Sequence, residues 1–188
     1  MPRQADPHLQ ERILDTAYRL WSRGGERALT MRAVARRAKT TTPTVYQHLR
    51  DKRELLGHLR RRAQADLFSA VQPARSLAEF CQSVLEFALH HPQKYRLMSG
   101  GWTARFDVGE PRPSFDLLKR RLAERLGDSP AEQVRLALAL AALIHGTIIA
   151  LLEGGGRNGV AAEMRRACLD GCEAVVGDVR AFRGHFRR

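Results

Sequence analysis

The sequence has no stretch alternating apolar and polar residues as a half-buried strand would, so an all-α fold is expected. It also has no apolar run clearly long enough to cross a bilayer. The longest, Leu136 to Leu152, is 17 residues and is broken by His145, Gly146 and Thr147. That suits a buried bundle helix better than a membrane span, which needs about 18 to 20 apolar residues. The first ten residues, MPRQADPHLQ, carry no apolar core, so no secretion signal is read there. Cysteine is scarce and odd in number, three in all, and reduced thiols in a cytoplasmic protein are the expectation. Nucleophile motifs and metal-ligand clusters are missing, so neither an enzyme nor a metal or cofactor is expected. Gly154-Gly155-Gly156-Arg157-Asn158-Gly159 spells G-x-G-x-x-G, but the dinucleotide fingerprint needs a preceding strand. Here it follows a long helical pattern and reads as an inter-helix loop.

What the chain does have is positive charge, unevenly placed. Lys and Arg exceed Asp and Glu by 12 in 188 residues; residues 1–65 hold 15 basic against 6 acidic side chains. Of the 32 basic residues 28 are arginine. Compositional drift explains that preference but not the clustering, which points to a polyanionic partner for the N-terminal third.

The segment Leu29 to Leu56 organises the rest. Thr30 is placed to cap a short helix carrying Val34, Ala35 and Ala38 inward. A polar turn, Lys39 to Thr41, follows. Thr42-Pro43 opens a second short helix, because proline in a first turn forfeits no internal hydrogen bond. Val45, Tyr46 and Leu49 form its apolar stripe, and Thr44, Gln47 and His48 face away. Two short helices joined by a tight turn, the second with a polar outer face, make a helix-turn-helix, whose second helix enters the DNA major groove. Upstream, Leu9, Ile13, Leu14, Ala17, Tyr18, Leu20 and Trp21 recur at helical spacing, with Asp6 as a cap and Gly24-Gly25 as the stop. Downstream, Asp51 and Glu54 form a capping-box-like start to a helix reaching about Ala70, and Pro73 marks a boundary.

This pattern resembles the DNA-binding domain of the TetR family of transcriptional regulators. The residues that carry the resemblance are Leu29-Thr30-x-Arg32, Val34-Ala35, Ala38, Pro43-Thr44-Val45-Tyr46-x-His48-Leu49 and Lys52-x-x-Leu55-Leu56, together with Ile13-Leu14-x-x-Ala17-x-x-Leu20. One departure is Lys39, where the family usually has the turn glycine; lysine must there accept a less comfortable backbone. The resemblance implies DNA contacts from Arg32, Tyr46 and Lys52; Thr42, Pro43, Thr44, Gln47 and His48 join them from the outer face of the second helix, Lys39 as a charge near the phosphates, and Thr30 beside the motif's first helix. Among these, Gln47 is the candidate for base reading, since an amide bonds adenine in a bidentate way. Lys52 and the Tyr46 hydroxyl are candidates for phosphate, with the tyrosine ring packed. Double-stranded DNA carrying a near-palindromic operator is the implied partner, with repression the implied outcome.

Beyond Pro73 the apolar spacing predicts helices at about Leu77–His90, Gln93–Ser99, Ser114–Leu126, Pro130–Glu153 and Val160–Phe182, with an irregular Gly100–Pro113. The chain thus divides into a helix-turn-helix domain over 1–50, a connecting helix over 51–72 and a larger helical domain over 73–188. In the TetR family the last two helices form a four-helix bundle across a two-fold axis, and the larger domain takes an effector. Leu143, Ile144, Cys168 and Cys172 are the expected contacts of a homodimer. Cys168 and Cys172 are four apart, and about 6 Å between such Cβ atoms is too far for an unstrained disulfide, so they read as small apolar residues. Tyr95, Met98, Trp102, Phe106, Phe115 and His145 either line an effector cavity or belong to the core, since both share an apolar composition. The set suits a lipophilic or aromatic effector.

Overall fold

The computed structural model describes residues 8–100, 112–154 and 158–179. Among these, nine helices and no strand are found: α1 (Leu9–Ala28), α2 (Met31–Arg37), α3 (Thr42–His48), α4 (Lys52–Val71), α5 (Leu77–His90), α6 (Pro92–Ser99), α7 (Pro113–Leu126), α8 (Val134–Glu153) and α9 (Asn158–Gly177). The all-α expectation holds. The expected Asp6 cap and the Gly100–Pro113 segment, with Trp102 and Phe106, lie outside the described residues apart from the segment's ends.

The chain forms two compact units, one of Met1–Ala63 with His91–Arg105 and the other of Gln64–His90 with Phe106–Arg188. The partition differs from a linear division in two places. The break falls inside α4, and α6 joins the N-terminal unit although it follows α5 in sequence. The Trp21 indole Nε1 donates to the Gln93 carbonyl at 2.7 Å, tying α6 to α1. Two cations, Arg62 and Lys94, stand 4.8 and 5.1 Å from the centre of the Tyr18 ring, and Arg62 also bonds Asp15. No sequence-local signal announces a contact 72 residues apart.

Local chemistry sets the ends of the first unit's helices. Gly25 adopts φ 60°, ψ −148°, so helical geometry breaks where the glycine pair was expected to stop it, and one further turn runs to Ala28. A Cβ at Gly25 would meet the Gln93 amide oxygen at 2.5 Å, the movable end of a side chain, so it is the positive φ that requires glycine. The Thr30 hydroxyl accepts from the Ala33 N–H at 3.1 Å, as a capping residue should. Asp51 accepts from the Glu54 N–H at 2.8 Å, and the Glu54 carboxylate reaches back to the Arg50 N–H at 2.7 Å. The reciprocal box therefore forms, with its return bond one residue earlier than the usual pattern. Ile13, Ala17, Leu29, Val34, Val45, Leu49, Leu55 and Leu59 close the core of this unit. Each fully buried leucine or isoleucine is worth roughly 1.5–3 kcal/mol.

In the second unit α5 is the central helix, packed by α7, α8 and α9. Its Leu77, Phe80, Cys81, Val84, Leu85 and Ala88 are buried, as are Leu118 and Leu122 of α7, Leu136, Leu140, Ile144 and Ile148 of α8, and Cys172 and Val176 of α9. Ser76 and Glu79 repeat the reciprocal capping arrangement at the start of α5. Gly127 ends α7 with φ 72°, the left-handed position that a helix C-terminus assigns to glycine. Two expected ends shift. Pro130–Gln133 form a turn rather than the first turn of α8, and α9 ends at Gly177 instead of continuing towards Phe182. The glycine run falls between α8 and α9, with residues 155–157 outside the described part.

Candidate nucleic-acid interface and effector region

α2 and α3 are held as a pair because both are capped from their N-termini and share one buried seam. The α3 cap is Thr41: its hydroxyl accepts from the Thr44 N–H at 3.3 Å and lies 2.8 Å from the Thr44 hydroxyl. Thr44 is thus engaged in its own helix start, and Pro43 occupies the first turn as expected. Val45 and Leu49, four apart, are fully buried. Tyr46 is not. It is 50% exposed, which corrects the expectation that its ring packs with them. One residue on from Val45 the helix has turned by about 100°, and the side chain leaves the seam.

Gln47, Pro43 and Tyr46 are exposed, and Thr42, Thr44 and His48 are half-buried. Thr30, Arg32 and Lys39 are exposed as well, the last at φ 56°. Lys39 is the one non-glycine residue at positive φ among those described. The strain foreseen from the missing turn glycine is therefore present, at a helix-turn-helix turn that also places a charge on the surface. Arg36 and Arg37 add two exposed cations to the last turn of α2, and Arg50 follows α3.

Lys52 differs from the others because its ammonium already has a partner, the Glu26 carboxylate at 3.1 Å. Glu26 was not singled out from the sequence. It lies 26 residues away, and only the packing of the unit brings it to Lys52. An exposed pair of this kind is worth at most about 1 kcal/mol, so a phosphate can displace the carboxylate without a large penalty.

The candidates for effector contact are divided. Tyr95 and Met98 are buried in the first unit with α6, and burial pushes the Tyr95 phenol well above its ordinary pKa. Phe115 and His145 belong to the second unit and are half-buried. The Lys119 ammonium stands 5.6 Å from the centre of the Phe115 ring and 2.9 Å from the Asp116 carboxylate. Desolvation lowers the His145 pKa, which favours a neutral imidazole with one donor and one acceptor nitrogen.

Of the four candidate dimer contacts, three are buried within the single chain and Leu143 is half-buried. Ile144, Cys168 and Cys172 are within the protomer's own core, at 3%, 2% and 1% exposure. The Leu143 side chain lies against Gly171 of α9 in the same chain, 3.1 Å from where a Cβ would stand. The apolar pattern of α8 is uniform enough that it does not reveal which side meets α5. Packing turns Leu136, Leu140, Ile144 and Ile148 inward. Ala142, Gly146 and Ala150 are left exposed on the other side, with Leu138 and Ile149 half-buried beside them. Of its most apolar 18-residue stretch only 28% is buried within the single chain.

Comparison with known proteins agrees with this architecture at both ends. Residues 13–59 match the family described as bacterial regulatory proteins, tetR family. Residues 77–181 match the tetracyclin repressor-like C-terminal domain, which covers more than half of the chain. The chain belongs to the TetR family of DNA-binding transcriptional regulators, a family of regulators and not of enzymes. Among curated protein sequences none matches significantly.

Solved structures with the same fold include a protein of unknown function from Rhodococcus sp. RHA1, with TM-score 0.67 and 24% identity, covering 92% of this chain and 97% of that one. A TetR variant from Acinetobacter baumannii AYE in complex with minocycline has TM-score 0.67 and 20% identity, covering 96% and 99%. The multidrug binding protein EbrR complexed with imidazole has TM-score 0.57 and 20% identity, covering 88% and 95%.

Proposed function

We propose that the protein is a homodimeric, sequence-specific repressor that a small molecule releases from a near-palindromic operator. The observation that carries the reading is the split of α3, with Val45 and Leu49 locked into the core while Pro43, Tyr46 and Gln47 stand outside it. A rigid helix with a polar, exposed outer face and cations around it is what a major-groove reader needs. Gln47 reads a base, while Arg32, Lys39 and Lys52 contact phosphate, with Thr30, Thr42, Thr44, Tyr46 and His48 completing the surface. Two heads in successive major grooves require half-sites about 34 Å apart, or a multiple of it.

The partner that covers the outer face of α8 is a second copy of this chain. That face is uncharged between Arg135 and Glu153 and small enough at Ala142, Gly146 and Ala150 for a helix to approach closely. The contact is isologous, as a two-fold dimer demands. The effector is lipophilic or aromatic and is taken by the larger helical unit around Phe115 and His145. Two structures of the same fold were solved with minocycline and with imidazole, which supports a small-molecule effector here. Helix α6 is suited to convey its presence, because it falls within the C-terminal family match yet is bonded to α1 through Trp21 and Gln93. A full switch from 1:99 to 99:1 requires the effector to favour the released form by about 5.5 kcal/mol.

The test is affinity selection of sheared genomic DNA on the purified protein at near-physiological salt, with sequencing of the enriched fragments. A shared near-palindrome is expected. Enrichment without a motif would reduce the reading to charge-driven binding. A regulator of the same fold without an effector is the second reading. It is favoured if the operator complex withstands every lipophilic and aromatic compound that binds the protein.

A further inference from the structure

Arginine supplies 28 of the 32 cations, so lysine is confined to four positions, Lys39, Lys52, Lys94 and Lys119. The two residue types differ in a way that matters at a DNA surface. A guanidinium keeps its charge, whereas an amine can be acylated and lose it. Three of the four amines are engaged. Lys52 holds the Glu26 carboxylate at 3.1 Å, and Lys119 holds the Asp116 carboxylate at 2.9 Å beside the Phe115 ring. Lys94 stands 5.1 Å from the centre of the Tyr18 ring. All three are half-buried. Lys39 is exposed, and its ammonium has no ion-pair or ring partner among the described residues.

We infer that Lys39 is a modification site, where an acyl phosphate transfers its acyl group to the side-chain amine and removes a positive charge from the helix-turn-helix. The consequence for DNA rests on the proposed function; the reaction at Lys39 does not. The backbone points to the same residue. Lys39 holds φ 56°, a left-handed conformation that glycine adopts without strain. Strain kept in place points to a task for the side chain. A phosphate contact alone would be served by the arginine that fills nearly every other cationic position, and only the amine adds reactivity.

The pair before Lys39 supplies a place for the donor. Arg36 and Arg37 are exposed at the end of α2, likewise without an ion-pair partner among the described residues. The Lys39 N–H donates to the Arg36 carbonyl at 3.4 Å, which closes the turn and keeps the three residues together. Clustered cations concentrate a small dianion, and guanidinium forks suit its phosphate oxygens. The amine nitrogen attacks the acyl carbon. The C–N bond forms, the acyl C–O bond breaks, and its electron pair leaves with inorganic phosphate. Of the ammonium's protons one stays on the amide, one is carried by the phosphate and one passes to water. Nothing is oxidised or reduced, and the product is a neutral amide.

The test treats the full chain with acetyl phosphate, stops the reaction while acetyl groups are still fewer than chains, and locates them by peptide mass spectrometry. Lys39 should be acetylated ahead of Lys52, Lys94 and Lys119. Arg36→Gln with Arg37→Gln should slow Lys39 and leave the other three unchanged. On a mixed-sequence duplex, chain acetylated at Lys39 should bind with a salt slope smaller by about one. Lys39→Arg, whatever its own affinity, should lose none of it on the same treatment. Acetylation first at another of the four lysines, or a Lys39 rate unmoved by the arginine changes, would overturn the site. A native chain that keeps its salt slope once Lys39 is acetylated, or a Lys39→Arg chain that weakens as the native one does, would overturn its effect on DNA. An untreated chain that binds no duplex would strike the proposed function instead, with the acetylation order still deciding the site.

Discussion

Helices α3 and α8 are built alike on their inner sides and differently on their outer ones. Each buries a stripe four residues apart, Val45 and Leu49 in one, Leu136, Leu140, Ile144 and Ile148 in the other. Outside, α3 presents Pro43, Tyr46 and Gln47 beside exposed cations, and α8 presents Ala142, Gly146 and Ala150 without charge. The inner stripe fixes where a helix sits; the outer face decides what comes to it. A polar rim with cations suits a polyanion, whereas a smooth apolar face suits another helix.

The largest effect should come from breaking the α8 face. A Cβ at Gly146 would meet nothing within 4 Å, so Gly146→Arg leaves the protomer's packing intact while placing charge where the second copy approaches. Sedimentation should give a folded monomer, and operator affinity should fall towards the non-specific level, a loss of about a thousandfold or more. A dimer that persists removes this face from the interface. Charged substitutions at Leu143 or Ile144 are less informative, because those side chains pack within the protomer and would unfold it.

On α3, Gln47→Ala should cost about 1–3 kcal/mol at one base pair and relax preference there. Lys52→Ala should instead weaken all sequences alike and reduce the salt slope by about one. Titrations against an operator and its single-base variants over a salt series tell the two apart. Identical behaviour would dissolve the division into base and phosphate contacts. Glu26→Gln should have the opposite sign to Lys52→Ala. Removing the carboxylate frees the ammonium, and affinity for every sequence should rise by up to about 1 kcal/mol, most visibly at low salt. No change would mean that Lys52 does not reach the duplex.

The smallest effect concerns the turn between α2 and α3. Lys39→Gly should raise stability by about 0.5–1 kcal/mol, the left-handed strain of about 1–2 kcal/mol less the entropy cost of glycine. Thermal unfolding checks this, and a lowered midpoint would show that the lysine side chain contributes more than its backbone costs.

The head was readable because its signals are local. Thr30, Asp51 with Glu54, Pro43 and Gly25 act within a few residues of themselves, and one stripe of apolar positions leaves a helix a single way to face. The strain at Lys39 was readable for the same reason, since one residue in a turn sets its own φ. Tyr46 was misplaced because its ring is as apolar as it is polar, and only the 100° step from Val45 settles which side it takes.

In the larger unit α8 is apolar on nearly every side, so periodicity alone could not orient it, and packing buries Ile144, Cys168 and Cys172 within the protomer and leaves Leu143 half-buried. The sequence by itself determined an all-α chain, a basic head, a helix-turn-helix and most helix ends, because caps, turns and periodicity are properties of neighbouring residues. Only the tertiary structure decided that α6 belongs with α1, that Glu26 holds Lys52 and which face of α8 stays open. Those are contacts between residues far apart in the chain, fixed by how whole helices pack, and no local pattern encodes them.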